Sequence, residues 1–142
     1  MEKAYLGRLV PPNTMELLKE MRQTLKPAKG RPVCARLLDV GADKPLPYMN
    51  FLAETNPALG RRGVRFLLEY PELLNTHLNA LLELARDFEV SILIPMVTLP
   101  EEVITIRAML DAIVLNNSIP EVPKLGVMIE TPGAALSAAA LA

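Results

Sequence analysis

Hydrophobic residues change their spacing several times along the chain, and each change marks an element. After a lead-in that ends in Val10-Pro11-Pro12-Asn13, the residues Met15, Leu17, Leu18, Met21 and Leu25 recur about three or four apart. That is the period of a helix with one buried face. Thr14 is expected to cap this helix and Lys26-Pro27 to stop it, with Glu16, Lys19, Glu20 and Arg22 on the solvated side. A turn at Lys29-Gly30-Arg31 leads into Pro32 to Val40, a nearly continuous apolar run interrupted by Arg36 and Asp39. Such a run predicts a strand buried on both faces of a parallel sheet.

The segment from Gly41 to Gly60 is rich in Gly and Pro and reads as a loop of about twenty residues, a length that is usually functional or disordered. Val64 to Tyr70 and then an amphipathic stretch opening at Pro71, with Leu73, Leu74, Leu78, Leu81, Leu82 and Leu84, predict two successive helices. Val90 to Val97 is a second buried strand. The next helix opens at Thr98 or Pro100 and runs towards Leu115, with Glu101 and Glu102 in the first turn, where the helix dipole favours acids. A turn over Asn116 to Pro120 precedes a third strand, Lys124 to Glu130, and Thr131-Pro132-Gly133 starts an Ala-rich helix. This alternation predicts an α/β fold with about three parallel strands. Three strands cannot close an eight-stranded barrel; an open three-stranded layer is one possibility, and the expected form is a partial (β/α)8 TIM barrel in a single unit, 1–142, with open edges.

Composition narrows the function classes. With 51% hydrophobic and 22% charged residues, the chain has what a soluble core requires, and disorder is not expected. Fifteen Lys and Arg against sixteen Asp and Glu leave a net charge of -1, so no global field draws nucleic acid or an acidic membrane, and an anion site has to be local. One cysteine, Cys34, excludes an internal disulfide and fits a reducing compartment, with the cytoplasm as the default. Neither a signal peptide nor a membrane span is expected.

The polar interruptions fall where chemistry is expected in parallel barrels, at the carboxyl ends of the strands. Arg36 and Asp39 lie on or beyond the first strand, Glu130 ends the third, and Asp43, Lys44, Arg61, Arg62 and Arg65 follow in or just after the long loop. Arginine forks bind phosphate in two-point contacts, and a carboxylate at a strand end can hold magnesium. Each residue also has a structural reading. Arg36 could form an ion pair with Asp39 or another acid, Glu130 could simply end a strand, and Arg61, Arg62 and Arg65 could form a solvated face with one member turned into a site. His77, set among leucines, is expected to be structural or surface-placed, and Cys34 to be a small core residue.

The segment Arg36-Leu37-Leu38-Asp39-Val40-Gly41-Ala42-Asp43-Lys44-Pro45-Leu46-Pro47-Tyr48-Met49-Asn50 resembles the signature of enzyme I, the phosphoenolpyruvate-protein phosphotransferase of the bacterial sugar phosphotransferase system. Asn56-Pro57-Ala58-Leu59-Gly60-Arg61-Arg62-Gly63-Val64-Arg65, Ile92 to Val97 with Glu101-Glu102-Val103 after it, and Gly126 to Pro132 are similar to that family in the same order. The resemblance spans about residues 32 to 142, and residues 1–31 are read as a divergent lead-in and helix. It implies a (β/α)8 barrel domain binding phosphoenolpyruvate and magnesium, with Arg36 and Arg62 on the substrate phosphate and Glu130 as a magnesium ligand. It implies roles for Asp43 and Lys44 in shaping the loop, a phosphocarrier protein as partner of the parent system, and dimerisation through this domain. Other site residues of the family have no counterpart here, so the chain alone is expected to lack turnover. Two alternatives stand beside this reading: a non-catalytic interaction or oligomerisation remnant, or a piece of a related dikinase, phosphoenolpyruvate synthase or citrate lyase type aldolase.

Overall fold

The computed structural model describes residues 2–28, 30–117, 119 and 122–142. The expected turns at Lys29 to Arg31 and Asn116 to Pro120 lie partly outside the described residues. Three strands, β1 (Val33–Arg36), β2 (Val90–Ile94) and β3 (Lys124–Val127), form one parallel sheet in the order β1-β2-β3. The register sets Val33 beside Val90 and Ser91 beside Lys124. Parallel neighbours need long crossovers. The first crossover carries α2 (Val64–Glu69) and α3 (Pro71–Leu84), and the second carries α4 (Pro100–Asn117). Before the sheet comes α1 (Thr14–Leu25), and after it come α5 (Pro132–Leu136) and α6 (Ala138–Leu141). The fold is therefore α/β with three parallel strands and intervening helices, as expected, and is consistent with part of a (β/α)8 barrel.

The core lies between one face of the sheet and the helices α1 and α3. Ala35, Val90, Ile92 and Ile94 point into it, where they join Leu17, Leu18 and Met21 of α1 and Leu74, Leu78, Leu81 and Leu82 of α3. The strands are not buried on both faces. Burial alternates along β1 and β2, so Cys34 is exposed and Ser91 and Leu93 are half-buried on the second face. Cys34 is therefore not a core residue: the two-residue period of β1 turns it away from Val33 and Ala35.

Other boundaries also differ from expectation. The cap of α1 is Asn13, not Thr14. The Asn13 side chain accepts from the Glu16 amide at 3.0 Å while the Asn13 amide donates to Glu16 Oε2 at 3.0 Å, a reciprocal box that satisfies two helix-end donors. The lead-in is not irregular throughout. Residues Glu2–Ala4 form a 3-10 turn, and the Tyr5 ring behind it is fully buried, 5.6 Å from the ring of His77. The three strands are shorter than the apolar runs that contain them; beyond β1, Leu37 still donates its amide to Leu93 O at 2.9 Å, and Leu37, Leu38 and Val40 stay buried in the core.

Candidate functional site

The carboxyl ends of the three strands gather the polar residues. Beyond β1 the chain carries Asp39 into a nearly closed position, 5% exposed, and the long loop returns Arg62 to it, 8% exposed. Arg62 Nε donates to Asp39 Oδ1 and Nη2 to Oδ2, both at 3.0 Å, a two-point fork of the strong charge-assisted kind. Arg62 Nη1 donates to Asp43 Oδ2 at 3.2 Å. Bonding to Asp39 is the main reason that the Arg62 pKa lies above the ordinary arginine value, so this guanidinium stays charged. Arg36 reaches the same carboxylate from the strand, with Nη1 3.7 Å from Asp39 Oδ2, and its Nη2 donates to Glu2 Oε1 at 2.6 Å. Arg36 and Arg62 thus meet at one buried acid.

The loop can bring Arg62 there because two glycines allow close approach. A Cβ on Gly41 would lie 2.9 Å from Arg62 Cβ. Gly63 has φ +55, and a Cβ there would meet Met96 Cβ at 2.8 Å and Pro95 O at 3.1 Å, so the backbone after Arg62 lies directly on the end of β2. The Val64 amide donates to Pro95 O at 3.2 Å at this junction. The neighbouring Met96, itself at φ 59, donates its amide to Glu130 Oε1 at 2.8 Å. Glu130 is exposed, with one oxygen on that amide. The three residues singled out for substrate and metal, Arg36, Arg62 and Glu130, therefore sit at one end of one sheet, linked through Asp39, Gly63 and Met96.

The loop from Gly41 to Gly60 is ordered by turns at Gly41–Lys44, Leu46–Met49 and Asn56–Leu59, and Leu46 is buried. Arg61 turns away from the site: its side chain pairs with Glu69, donates to Tyr70 Oη at 3.1 Å and lies over the Phe66 and Tyr70 rings, while its amide donates to the Glu54 carboxylate. Arg65 pins the loop by donating to Leu59 O at 2.7 Å and Gly60 O at 2.9 Å, and it reaches Thr98 Oγ1 at 2.7 Å. Of the three clustered arginines, only Arg62 faces Asp39. Lys44 is exposed on the loop surface.

Two features were not found from the sequence. Thr98 Oγ1 donates to Thr131 Oγ1 at 3.3 Å, and Thr131 Oγ1 donates to Val97 O at 2.7 Å, which ties the exits of β2 and β3 together. Glu2 lies in the lead-in, and nothing in its local sequence pointed to Arg36. His77 is fully buried, and neither ring nitrogen has a hydrogen-bond partner among the described residues. Among the described residues no group of three or more His, Cys, Asp or Glu is placed to hold a metal, and no helix is long and apolar enough to cross a membrane.

Fold and site together define a class: parallel α/β proteins with cationic forks and a carboxylate collected at the carboxyl ends of the strands. Within it, this chain belongs to the family described as PEP-utilising enzyme, PEP-binding domain, which it matches over residues 1–142. The match includes residues 1–31, which the sequence resemblance left out. The chain is similar to a multiphosphoryl transfer protein of Rhodobacter capsulatus, 36% identical over 99% of this chain and 17% of that protein. It is also similar to phosphoenolpyruvate-protein phosphotransferases of Buchnera aphidicola, 35% identical over 96% of this chain and 25% of that protein, and of Borreliella burgdorferi, 34% identical over 99% and 26%. It spans about a quarter or less of the length of these relatives.

Proposed function

We propose that this chain is the phosphate-binding segment of a phosphoenolpyruvate-protein phosphotransferase. The observation that carries the reading is the meeting of Arg36 and Arg62 at Asp39, at the carboxyl end of the sheet. A guanidinium has five N–H donors. Arg62 commits one from each nitrogen to Asp39 and Asp43, which leaves one on each Nη for an incoming oxyanion. Asp39 holds the two cations close together despite their mutual repulsion, so a phosphate dianion meets an already assembled pair.

Phosphoryl transfer depends on positioning and charge neutralisation more than on covalent help from the protein. In this reading the arginines take up charge on the phosphate as its bond to the enol oxygen breaks and a bond to a histidine nitrogen forms. The acceptor is not His77, the sole histidine of the sequence, because its ring is fully buried on the inner face of α3, beside the ring of Tyr5. It is supplied from outside these residues.

Magnesium is commonly bound through one or two carboxylates together with substrate phosphate oxygens and water. Glu130 fits as one such ligand, being exposed and held by a single amide. With no group of three His, Cys, Asp or Glu placed to hold a metal among the described residues, the ion would be held chiefly in company with the substrate phosphate. When bound, it supplies further neutralisation of phosphoryl charge. Partners that accompany this reading are phosphoenolpyruvate, a phosphocarrier protein in a cytoplasmic sugar phosphotransferase system, and a second copy of the chain.

Calorimetric titration of phosphoenolpyruvate with magnesium into the chain and into Arg36→Ala tests the proposal. Arg36→Ala is expected to weaken binding at least tenfold, and Glu130→Gln to remove only the magnesium-dependent part. Equal binding by Arg36→Ala, or no binding by the folded chain, would count against it.

A further inference from the structure

We infer that Glu2 is a positioning residue for Arg36: its carboxylate holds the guanidinium in the orientation that receives the substrate phosphate. The inference rests on the reading of Arg36 proposed above. The contact spans 34 residues of chain and closes at 2.6 Å, much shorter than the 3.7 Å approach of Arg36 to Asp39. Glu2 is itself fixed. Its carbonyl accepts the amides of both Tyr5 and Leu6 at 2.9 Å, which locks the 3-10 turn, and the buried Tyr5 ring anchors that turn against α3. Both partners of the pair are half-covered, with side-chain exposures of 34% for Arg36 and 22% for Glu2. With a third of its side-chain surface open, the Arg36 guanidinium stays reachable from outside while held.

The two carboxylates grip different nitrogens. Glu2 takes Nη2 and Asp39 faces Nη1, which leaves Nε and the second hydrogen of each Nη for an oxyanion. An arginine side chain has large rotamer freedom, and a fork held in advance surrenders less of it on binding. Burial alone would raise the Glu2 carboxyl, but hydrogen bonds from its backbone and from Arg36 outweigh that and leave its pKa below the ordinary value, so the carboxylate is charged at neutral pH.

The test compares the chain with Glu2→Ala and Glu2→Gln in two measurements: affinity for phosphoenolpyruvate with magnesium, and the ¹⁵N relaxation of the Arg36 Nε–H group. The Ala variant is expected to bind about tenfold more weakly and to show Arg36 Nε–H as mobile as an exposed arginine. The Gln variant, whose amide oxygen still accepts from Nη2, is expected to stay within about threefold of the parent chain and to keep Arg36 ordered. Tighter binding by Glu2→Ala would make Glu2 a competitor for Arg36 and overturn the inference. So would an Arg36 side chain that is equally ordered without Glu2. If the parent chain binds no phosphoenolpyruvate, the proposed function fails, and the relaxation data still decide whether Glu2 orients Arg36.

Discussion

His77 offers the sharpest test of how the interior is built. It is the only histidine in the chain, its ring is fully buried beside Tyr5, and burial pushes its pKa from the ordinary 6.5 down to about 3. In the unfolded chain the ring takes up a proton below about 6.5, while in the folded chain it stays neutral until about 3. The unfolded state therefore binds more protons across that window. Stability contributed by the neutral ring is complete above 6.5, falls as the pH drops below it, and levels off only below about 3. Between pH 7.5 and pH 5 the loss works out at about 2 kcal/mol, using about 1.36 kcal/mol for each pH unit below 6.5. Comparison with a variant that lacks only this ring isolates the histidine's share.

In His77→Leu the loss should vanish. With a urea slope of about 2 kcal/mol per molar, the wild-type midpoint should fall by about 1 M between the two pH values, while the variant midpoint stays nearly constant. Far-ultraviolet circular dichroism can follow the melts, since the chain has no tryptophan. At neutral pH the variant should also be at least as stable as the parent, because two buried nitrogens without partners among the described residues are removed. A variant that loses the same stability on acidification, or an imidazole that titrates near 6.5 in the folded chain, would refute the reasoning.

Two further outcomes follow from the site. Asp39→Ala should destabilise the fold by about 3–5 kcal/mol in thermal or urea unfolding, because it strands the buried Arg62 without its fork, whereas Asp43→Ala, at the exposed end of the same guanidinium, should cost under about 1 kcal/mol. Gly63→Ala combines φ +55 with a contact of 2.8 Å to Met96, so its melting temperature should fall by more than that of an alanine replacing the open Gly30, where nothing lies within 4 Å.

The elements were legible wherever one period dominated. The leucines of α3 and the β-branched run of β2 identify themselves locally, and so did the gathering of Arg36, Asp39, Arg62 and Glu130 at strand ends once the sheet was taken as parallel. What was hidden depends on contacts between distant residues. Cys34 sits in an apolar run whose composition suggests burial on both sides, yet strand alternation against a sheet packed on one face leaves it exposed. Thr14 and Asn13 are both good caps, and only the reach of Glu16 back to the Asn13 amide decides between them. Which of Arg61, Arg62 and Arg65 faces the site depends on Glu69, Thr98 and Asp39, partners 8 to 33 residues away. Glu2 was invisible for the same reason.

The two halves of the site do not share one local stability. Arg62 and Asp39 are nearly buried and locked to each other by a two-point fork, so pulling them apart requires much of the surrounding core to loosen. Glu130 follows β3, whose residues are half-buried or exposed and which pairs only with β2 among the described strands. Openings confined to an edge strand cost far less than global unfolding. The Arg62–Asp39 side of this sheet end is therefore the more deeply held, and the Glu130 side the one that a local opening reaches first.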